Sequence, residues 1–231
     1  MVDTIHLHPT APLADRVLLP GDPGRALRLA QRLLHEPMMF NHNRGLWGYT
    51  GTAVDGEPVT IQSTGMGGPS AAIVIAELHD LGARTLVRVG TCGALHPELE
   101  LGQLLIAQEA IAGDGTSRSL GAGPRVPASP GMLARLQAAA GDRARAGAVI
   151  STDLFYDGRE GAEQGWLADG ALAVEMEAAA LFALARRRGF EAGALLIVSD
   201  LLMPARRRIS EDDLHSAEHR LGELAVRALA P

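Results

Sequence analysis

Lysine is missing from this 231-residue sequence, because all 21 of its Lys-plus-Arg positions are arginine. Without lysine the chain cannot form a lysine Schiff base, attach pyridoxal phosphate or build a P-loop for a nucleotide. The patterns G-x-G-x-x-G, G-x-S-x-G and H-E-x-x-H are also absent. Dinucleotide-binding, serine-hydrolase and zinc-protease functions therefore lose their main support.

Cysteine and long apolar runs are scarce as well. The single cysteine, Cys92, excludes an intrachain disulfide and a cysteine-based zinc site, so nothing indicates an oxidising compartment. No signal peptide or membrane-crossing run is visible, and we expect a cytoplasmic protein without a membrane partner. The net charge of -6 argues against a general nucleic-acid surface, so an anionic ligand would need a local basic pocket.

The remaining composition favours one large domain. A chain of this length with 47% hydrophobic residues can bury a substantial core. We therefore predict a single α/β domain over residues 1–231.

Two carboxylates interrupt the apolar segment 171–184. Glu175 and Glu177 lie two residues apart, ahead of a helix-forming Ala/Leu run, so the segment is typical of a strand that enters a helix. The acids would then lie at the carboxyl end of a strand, where open α/β sheets bind ligands. Solvated first-turn acids, favoured by the helix dipole, explain the pattern equally well.

Glycine-rich turns follow two other predicted strands. The strand at 17–19 runs into Gly21 and then into a helix with Arg25 in its first turn, an arrangement that can surround an anion with N–H groups. A second glycine-rich bend contains Met66 and follows a predicted hairpin whose turn is Asp55-Gly56. The first turn could also be an ordinary loop with a solvated Arg25, and Met66 is more often core filler than a ligand contact.

Charged or hydroxyl groups end two further buried strands. Arg88 lies within the apolar strand 85–89, where it needs an anionic partner, either a structural carboxylate or a bound phosphate that Thr91 could also contact. The apolar strand 194–198 ends in Ser199 and Asp200. If the sheet is of the parallel type, these groups meet the glycine turns and the two glutamates at one edge.

Aromatic residues and histidines supply weaker signals. Phe155 and Tyr156 follow a predicted strand near 146–151 and could stack on a planar ligand, although core packing explains them as well. His215 and His219 have a spacing that could hold a metal, but with no third ligand indicated we expect a solvated helix face and no metal. Residues 113–130 are predicted to form a long loop.

The segments PGDPGRA, NRGLWGYTGT, GMGGPS, VRVGTCGA, STDLFY, VEMEAA and VSD occur in this order. Together they resemble the motifs of the nucleoside phosphorylase-I family, and most closely those of its bacterial hexameric purine nucleoside phosphorylases. The resemblance covers nearly the whole chain. It implies a three-layer α/β/α domain with a mixed, partly barrel-like sheet, assembled as a trimer of dimers, without a metal or organic cofactor. It also implies reversible phosphorolysis of purine nucleosides, with inorganic phosphate as co-substrate.

The resemblance assigns roles to individual residues. Asp200 would be the general acid that protonates the purine. The phosphate would be held by Gly21, Arg25, Arg88 and Thr91, with Arg44 from the adjacent subunit. The ribose would contact Met66, Met176, Glu177 and His6 of the neighbour, although a gap in the alignment also allows His8. The base would be lined by Cys92, Gly93, Phe155, Val174, Glu175 and Ser199.

Two positions depart from the family pattern. Ala217 occupies the place of an arginine that assists the aspartate, and Arg206, Arg207, Arg208 or Arg220 could replace that arginine. Thr91 stands where the purine enzymes often have serine, but it keeps the hydroxyl group.

Three alternatives remain open. Uridine phosphorylase shares many of these motifs, but the Gln-x-Arg pair that recognises uracil is not found after Tyr156, and Asp200 favours a purine. A hydrolytic nucleosidase would not need both Arg25 and Arg88. A non-catalytic nucleoside-binding module would have little reason to retain both Glu177 and Asp200.

Overall fold

The computed structural model describes residues 4–230, which fold into strands and helices that alternate along the chain. The strands are β1 Arg16–Leu19, β2 His35–Asn41, β3 Gly48–Thr52, β4 Pro58–Gln62, β5 Thr85–Ala94, β6 Leu104–Ala112, β7 Arg125–Pro127, β8 Ala144–Ser151, β9 Ala171–Glu175, β10 Glu191–Leu201 and β11 Arg207–Arg208. The helices are α1 Pro23–Leu33, α2 Gly68–Leu81, α3 Gly115–Ser119, α4 Pro130–Ala140, α5 Ala162–Ala168, α6 Ala178–Arg188 and α7 Glu211–Leu229.

Five of the strands close into a barrel. The order along the sheet is β11-β10-β6-β8-β9-β5-β1-β4-β3-β2, and β10 also pairs with β5, which closes the ring β10-β6-β8-β9-β5. The strands β1, β4 and β3 continue from β5 as an open extension that ends at β2. The prediction of a partly barrel-like mixed sheet is confirmed.

Strand direction corrects one part of the sequence interpretation. The strands β1, β4 and β10 are parallel to β5 or to its parallel neighbour, but β9 is antiparallel to β5 and pairs Val174 with Gly93. Strand β9 therefore runs back along β5 from Ala94 and Gly93, which brings Glu175 towards Arg88. The strands that carry the candidate residues are not all parallel, which corrects the expectation of one parallel edge.

Apolar side chains form two main layers between the sheet and the helices. Val74 of α2 and Phe182 of α6 belong to one layer, and Leu29 of α1, Leu136 of α4 and Leu221 of α7 belong to the other. All five side chains are at most 2% exposed. Helices thus cover both faces of the sheet, as the three-layer α/β/α prediction requires.

Most predicted elements occur with shifted ends, and a few were missed. The hairpin, the strand 104–112 and the strand-to-helix segment around Glu175 are present. The strand predicted to end at Val89 continues to Ala94, because β10 pairs with β5 over that whole length. Edge strand β2 was not predicted, since five of its seven residues are exposed and buried and exposed positions do not alternate along it. The predicted loop 113–130 contains α3 and β7.

The predicted domain boundaries at residues 1 and 231 lie outside the described residues. Within residues 4–230, no helix combines the length and the apolar character that spanning a bilayer requires. Within the same range, His, Cys, Asp and Glu side chains form no group of three or more that could hold a metal.

Candidate active site

The turns that follow β1 and β4 lie side by side. The amide of Gly65 donates to the carbonyl of Gly21 at 3.1 Å, and the amide of Thr64 donates to the carbonyl of Pro20 at 2.9 Å. Gly65 has a φ of +72°, and a Cβ added there would lie 2.5 Å from Ser70 Oγ. Glycine at this position therefore allows the bend to turn back towards the end of β1.

Arg88 of β5 is the centre of a buried ion-pair cluster. Its Nε donates to Glu175 Oε2 at 2.9 Å, and its Nη2 lies 2.5 Å from Glu177 Oε2. The Arg88 side chain is only 7% exposed. Gly90 leaves space for the guanidinium group, because a Cβ at that position would lie 2.7 Å from Arg88 Cζ.

Glu175 is occupied by donors of its own chain. Besides Arg88, its carboxylate accepts the amides of Glu177 and Ala178 at 2.9 Å and the hydroxyl of Ser151. Its side chain is fully buried. These contacts orient Arg88 and satisfy free amides at the start of α6. Glu175 was predicted to line the base, and in the structure its carboxylate pairs with Arg88 and with amides at the start of α6.

Glu177 connects Arg88 to the second glycine-rich turn. One carboxylate oxygen accepts the amide of Gly67 at 2.5 Å, and the other faces Arg88. Burial raises the pKa of Glu177, and the nearby Glu175 carboxylate acts in the same direction against the opposing effect of Arg88. Met66, on the same turn, is 86% exposed, so this part of the cluster borders the surface.

Arg25 forms a second buried ion pair, with a residue that the sequence interpretation did not identify. Its Nε donates to Glu218 Oε1 of α7 at 2.7 Å, and Arg28 donates to both oxygens of Glu218 at 2.8 and 3.0 Å. The pKa of Glu218 lies below its ordinary value, because hydrogen bonds from the two arginines outweigh the effect of burial. Leu214 and Leu221, at helical spacing from Glu218, were the available signal that it faces the core.

Arg25 also lies close to a well-defined helix start. Asp22 caps α1 by accepting the amides of Gly24 and Arg25 at 3.0 and 2.8 Å. Within residues 4–230, the two terminal guanidinium nitrogens of Arg25 make no hydrogen bond. The arginine is therefore held through Nε and keeps donors that an anion could use.

Asp200 of β10 is the centre of a third cluster. Ser199 Oγ donates to Asp200 Oδ2 at 2.8 Å, while Nε and Nη2 of Arg206 donate to Oδ1 at 3.2 and 3.1 Å. Of the other arginines considered, Arg208 is 4.0 Å from the same oxygen, and Arg220 donates to the Gly102 carbonyl. Arg206 is thus the arginine that pairs with this aspartate.

The predicted base-binding residues occupy two different environments. Cys92 is buried, and its thiol points to the Ile197 carbonyl at 3.6 Å, while burial raises its thiol pKa. Gly93 pairs with Val174 and lies against the side chain of Leu202. Phe155, in contrast, is 56% exposed.

Phe155 carries Arg206 on its ring. The guanidinium carbon of Arg206 lies 5.1 Å from the ring centroid, within the range of a cation–π contact. Tyr156 packs edge-on against Phe155, with ring centroids 5.0 Å apart. Arg206 therefore joins the exposed aromatic pair to Asp200.

Thr91 and Met176 lie close in sequence to residues of the Arg88 cluster. Thr91 is partly exposed in the middle of β5 and pairs with Ile197. Its hydroxyl makes no hydrogen bond within residues 4–230. Met176 directly precedes Glu177, and its Cε lies 3.9 Å from a Cβ built on Gly67.

The chain around His6 is hydrogen-bonded to the turn that carries Arg44. His6 Nδ1 lies 2.7 Å from Glu77 Oε1, and Glu77 also accepts the amides of His6 and Leu7. Asn43 donates to the His6 carbonyl at 2.9 Å, next to Arg44, whose φ is +59°. In the described part of the chain, neither His6 nor Arg44 makes a hydrogen bond or ion pair with the Arg88 or Asp200 cluster.

His8 has a different environment from His6. Its ring Nε2 lies 3.2 Å from the carbonyl of Ile5, so the ring turns back on its own segment. Its amide donates to Asn41 Oδ1 at 2.9 Å. His6 and His8, between which the sequence did not decide, therefore have different hydrogen-bond partners.

Comparison with known proteins was made against family models and curated sequences. The model described as "Phosphorylase superfamily" matches residues 15–230. A protein named "Purine nucleoside phosphorylase DeoD-type" from Jannaschia sp. (strain CCS1) is 38% identical over 235 residues, covering 97% of this chain and 98% of the relative.

Two further relatives have similar levels of identity. A protein with the same name from Geobacillus kaustophilus (strain HTA426) is 37% identical over 88% of both chains. A "Guanosine phosphorylase" from Halorubrum lacusprofundi is 38% identical, covering 85% of this chain and 82% of the relative.

Proposed function

Since the chain belongs to the phosphorylase superfamily, we propose that it is a purine-nucleoside phosphorylase, which reversibly converts purine ribo- and deoxyribonucleosides and phosphate into free base and pentose 1-phosphate. The names of its relatives support this reaction. The observation that carries the proposal is the pairing of buried Arg88 with Glu177, together with Asp200 on the neighbouring barrel strand β10 and its partner Arg206.

Phosphate binding is assigned to the Arg88 end of the site. A guanidinium group binds phosphate oxygens in the same forked geometry in which it binds carboxylates. The donors of Arg25, Gly21 and Thr91 would complete this phosphate site. Because Arg88 is already paired with Glu177, phosphate must replace part of that ion pair.

Glu177 is assigned to the ribose. A carboxylate that loses contact with Arg88 can accept hydrogen bonds from the 2′ and 3′ hydroxyls, so binding of sugar and phosphate compensates for the broken pair. Met66 and Met176 would flank the sugar. With the sugar held in this way, C1′ lies against the bound phosphate.

The chemical step transfers a pentosyl group. A phosphate oxygen forms a bond to C1′ while the bond from C1′ to the purine nitrogen breaks, and the electron pair of that bond goes to the purine. Asp200 would donate a proton to N7, which removes the negative charge of the leaving base. The remaining Asp200 carboxylate would be stabilised by Arg206 and Ser199.

The assembly forms part of the same proposal. Glu77 and Asn43 hold His6, and Arg44 follows Asn43 in the chain; within residues 4–230 neither His6 nor Arg44 makes a hydrogen bond or ion pair with the Arg88 or Asp200 cluster. We assign them to the site of an adjacent subunit in a hexamer built as a trimer of dimers. We also propose a cytoplasmic location, which fits the single cysteine. The proposed reaction needs no metal and no organic cofactor.

The decisive assay measures free-base release from inosine, guanosine, adenosine and uridine, each with and without inorganic phosphate. We expect phosphate-dependent cleavage of purine nucleosides only. Cleavage of uridine would indicate the pyrimidine enzyme of the same superfamily, and cleavage without phosphate would indicate a nucleosidase. Absence of any cleavage would indicate a binding protein.

A further inference from the structure

Arg206 occupies a position that links two parts of the proposed base site. Its guanidinium group donates to Asp200 Oδ1 and lies 5.1 Å from the centroid of Phe155. Asp200 is 6% exposed and Phe155 is 56% exposed. The arginine therefore lies between the proposed acid and the proposed stacking surface, at the edge of the space that the base would occupy.

The guanidinium group still has donors to offer. Its contacts with Asp200 use Nε and Nη2, and Nη1 makes no hydrogen bond within residues 4–230. Arginine has five N–H donors and no acceptor, and it stays protonated in proteins. A ligand atom facing the free Nη1 group must therefore be an acceptor.

Purines differ at the atom that would face this donor. In hypoxanthine and guanine the substituent at position 6 is an oxygen that accepts hydrogen bonds, and in adenine it is an amino group that donates them. If Asp200 faces N7, as the proposed function requires, the substituent at position 6 lies next to it on the same edge of the purine. A donor–donor contact there would leave both groups unpaired.

We propose that Arg206 makes the site selective for nucleosides of 6-oxopurines by donating a hydrogen bond to their oxygen O6. This inference rests on the proposed function, and it names the substrate class of that site. The same contact stabilises negative charge that develops on the leaving base, because that charge is shared between the ring nitrogens and O6. Arg206 would thus act on substrate choice and on the transition state.

Arg207 provides a matched control. It precedes Arg208 in the short strand β11 and pairs through its backbone with Leu201. Its side chain makes no ion pair within residues 4–230. Replacing Arg207 with Ala removes the same charge from the same segment and leaves the Asp200 contact in place.

The test compares inosine and adenosine, whose bases differ in the substituent at position 6 and in the proton on the adjacent N1. At saturating phosphate we expect the unmodified protein to favour inosine in kcat/KM by about tenfold or more, in line with a charged hydrogen bond. Arg206→Ala should lower kcat/KM for both nucleosides, because Asp200 loses its partner, and the loss for inosine should exceed that for adenosine by about tenfold, because only inosine also loses the hydrogen bond to O6. Arg207→Ala should keep the preference for inosine.

Binding of the free bases supplies a readout that does not depend on turnover. In calorimetric titrations with phosphate present, the unmodified protein should bind hypoxanthine more tightly than adenine, and Arg206→Ala should bind the two within about threefold of each other. Arg206→Lys, which keeps the charge and some donors, should restore part of the preference for hypoxanthine.

The outcomes separate this inference from the proposed function. Equal turnover of inosine and adenosine by the unmodified protein, or equal losses for both in Arg206→Ala, would overturn the role of Arg206 and leave purine phosphorolysis intact. If no purine nucleoside is cleaved with phosphate, the proposed function fails and the inference fails with it.

Discussion

At the proposed phosphate and ribose end, the side chains of Arg88, Glu175 and Glu177 are at most 8% exposed and bind one another. At the proposed base end, Phe155 is 56% exposed and the Arg206 side chain 47% exposed, while Asp200, Ser199 and Cys92 are buried. The buried end is built into the barrel, so its charges also contribute to the fold. The open end contacts the fold less, so substitutions there should change substrate choice with little effect on stability.

The largest effect is expected from Arg88→Ala at the buried end. The substitution leaves two buried carboxylates without their cation and should lower the free energy of unfolding by about 3–5 kcal/mol. Phosphorolysis should fall by about 100-fold or more, because the main phosphate donor is lost. Denaturant unfolding and steady-state kinetics measure the two losses.

Arg84→Ala is the control for this variant. Arg84 precedes β5 and is exposed, and within residues 4–230 its side chain donates only to the carbonyls of His79 and Ala83. The Arg84→Ala variant should have a free energy of unfolding and a rate of phosphorolysis close to those of the unmodified protein. Normal stability and turnover in Arg88→Ala would contradict the assignment of phosphate to the buried end.

Asp200→Asn should have a large effect on activity and a small effect on stability. Asparagine keeps the shape of the side chain but cannot donate a carboxylic acid proton, so phosphorolysis of inosine should slow by about 100- to 1000-fold. Phosphorolysis of 7-methylguanosine, whose base already carries a positive charge, should slow much less. Equal losses for the two substrates would remove the proton-donor role.

Glu218→Gln tests the second buried ion pair through pH. The pKa of Glu218 in the folded protein lies below its ordinary value of 4.5, so its ionised form stabilises the fold above that pH. At pH 7 the variant should lose about 2 kcal/mol of unfolding free energy, because two arginines lose a charged partner. The difference from the unmodified protein should shrink as the pH falls below the ordinary pKa and through the folded pKa.

Unfolding curves of both proteins between pH 7 and pH 3 measure this difference. A gap that stays constant over the whole range would show that the Glu218 carboxylate does not contribute through its charge. Glu223→Gln, on the same helix, serves as the control, since Glu223 is about half exposed and within residues 4–230 its side chain pairs only with His219.

Phe155→Ala should have the smallest effect, at the open end. Because the ring is 56% exposed, unfolding free energy should change by less than about 1 kcal/mol. Loss of stacking should raise KM for purine nucleosides by about three- to tenfold, with little change in kcat. Phe155→Tyr should restore KM, and a large loss of kcat in the alanine variant would instead assign the ring a role in the chemical step.

Sequence reasoning identified the charged residues near the strand ends, but it did not establish which residues they pair with. Arg88 required an anion on physical grounds, and the structure supplies Glu175 and Glu177. Both glutamates had been identified, but the antiparallel direction of β9 that brings them to Arg88 had not. Strand direction depends on contacts between distant segments, which local patterns do not contain.

The partners on loops and helix faces were harder to predict. Arg206 was one of four arginines that could replace the one missing at Ala217, and only the return of the chain through β11 places it beside Asp200. Glu218 was overlooked because a single acid on a polar helix is ordinarily solvated. Edge strand β2 was missed because its residues are mostly exposed.

The most direct test of the proposed reaction identifies the sugar product. Inosine and phosphate would be incubated with the protein and followed by phosphorus-31 NMR, with arginine variant Arg88→Ala in parallel. We predict a new signal of ribose 1-phosphate, formed in equal amount to hypoxanthine and about 100-fold or more slowly with the variant. Hypoxanthine released together with free ribose, with the phosphate signal unchanged, would contradict the account.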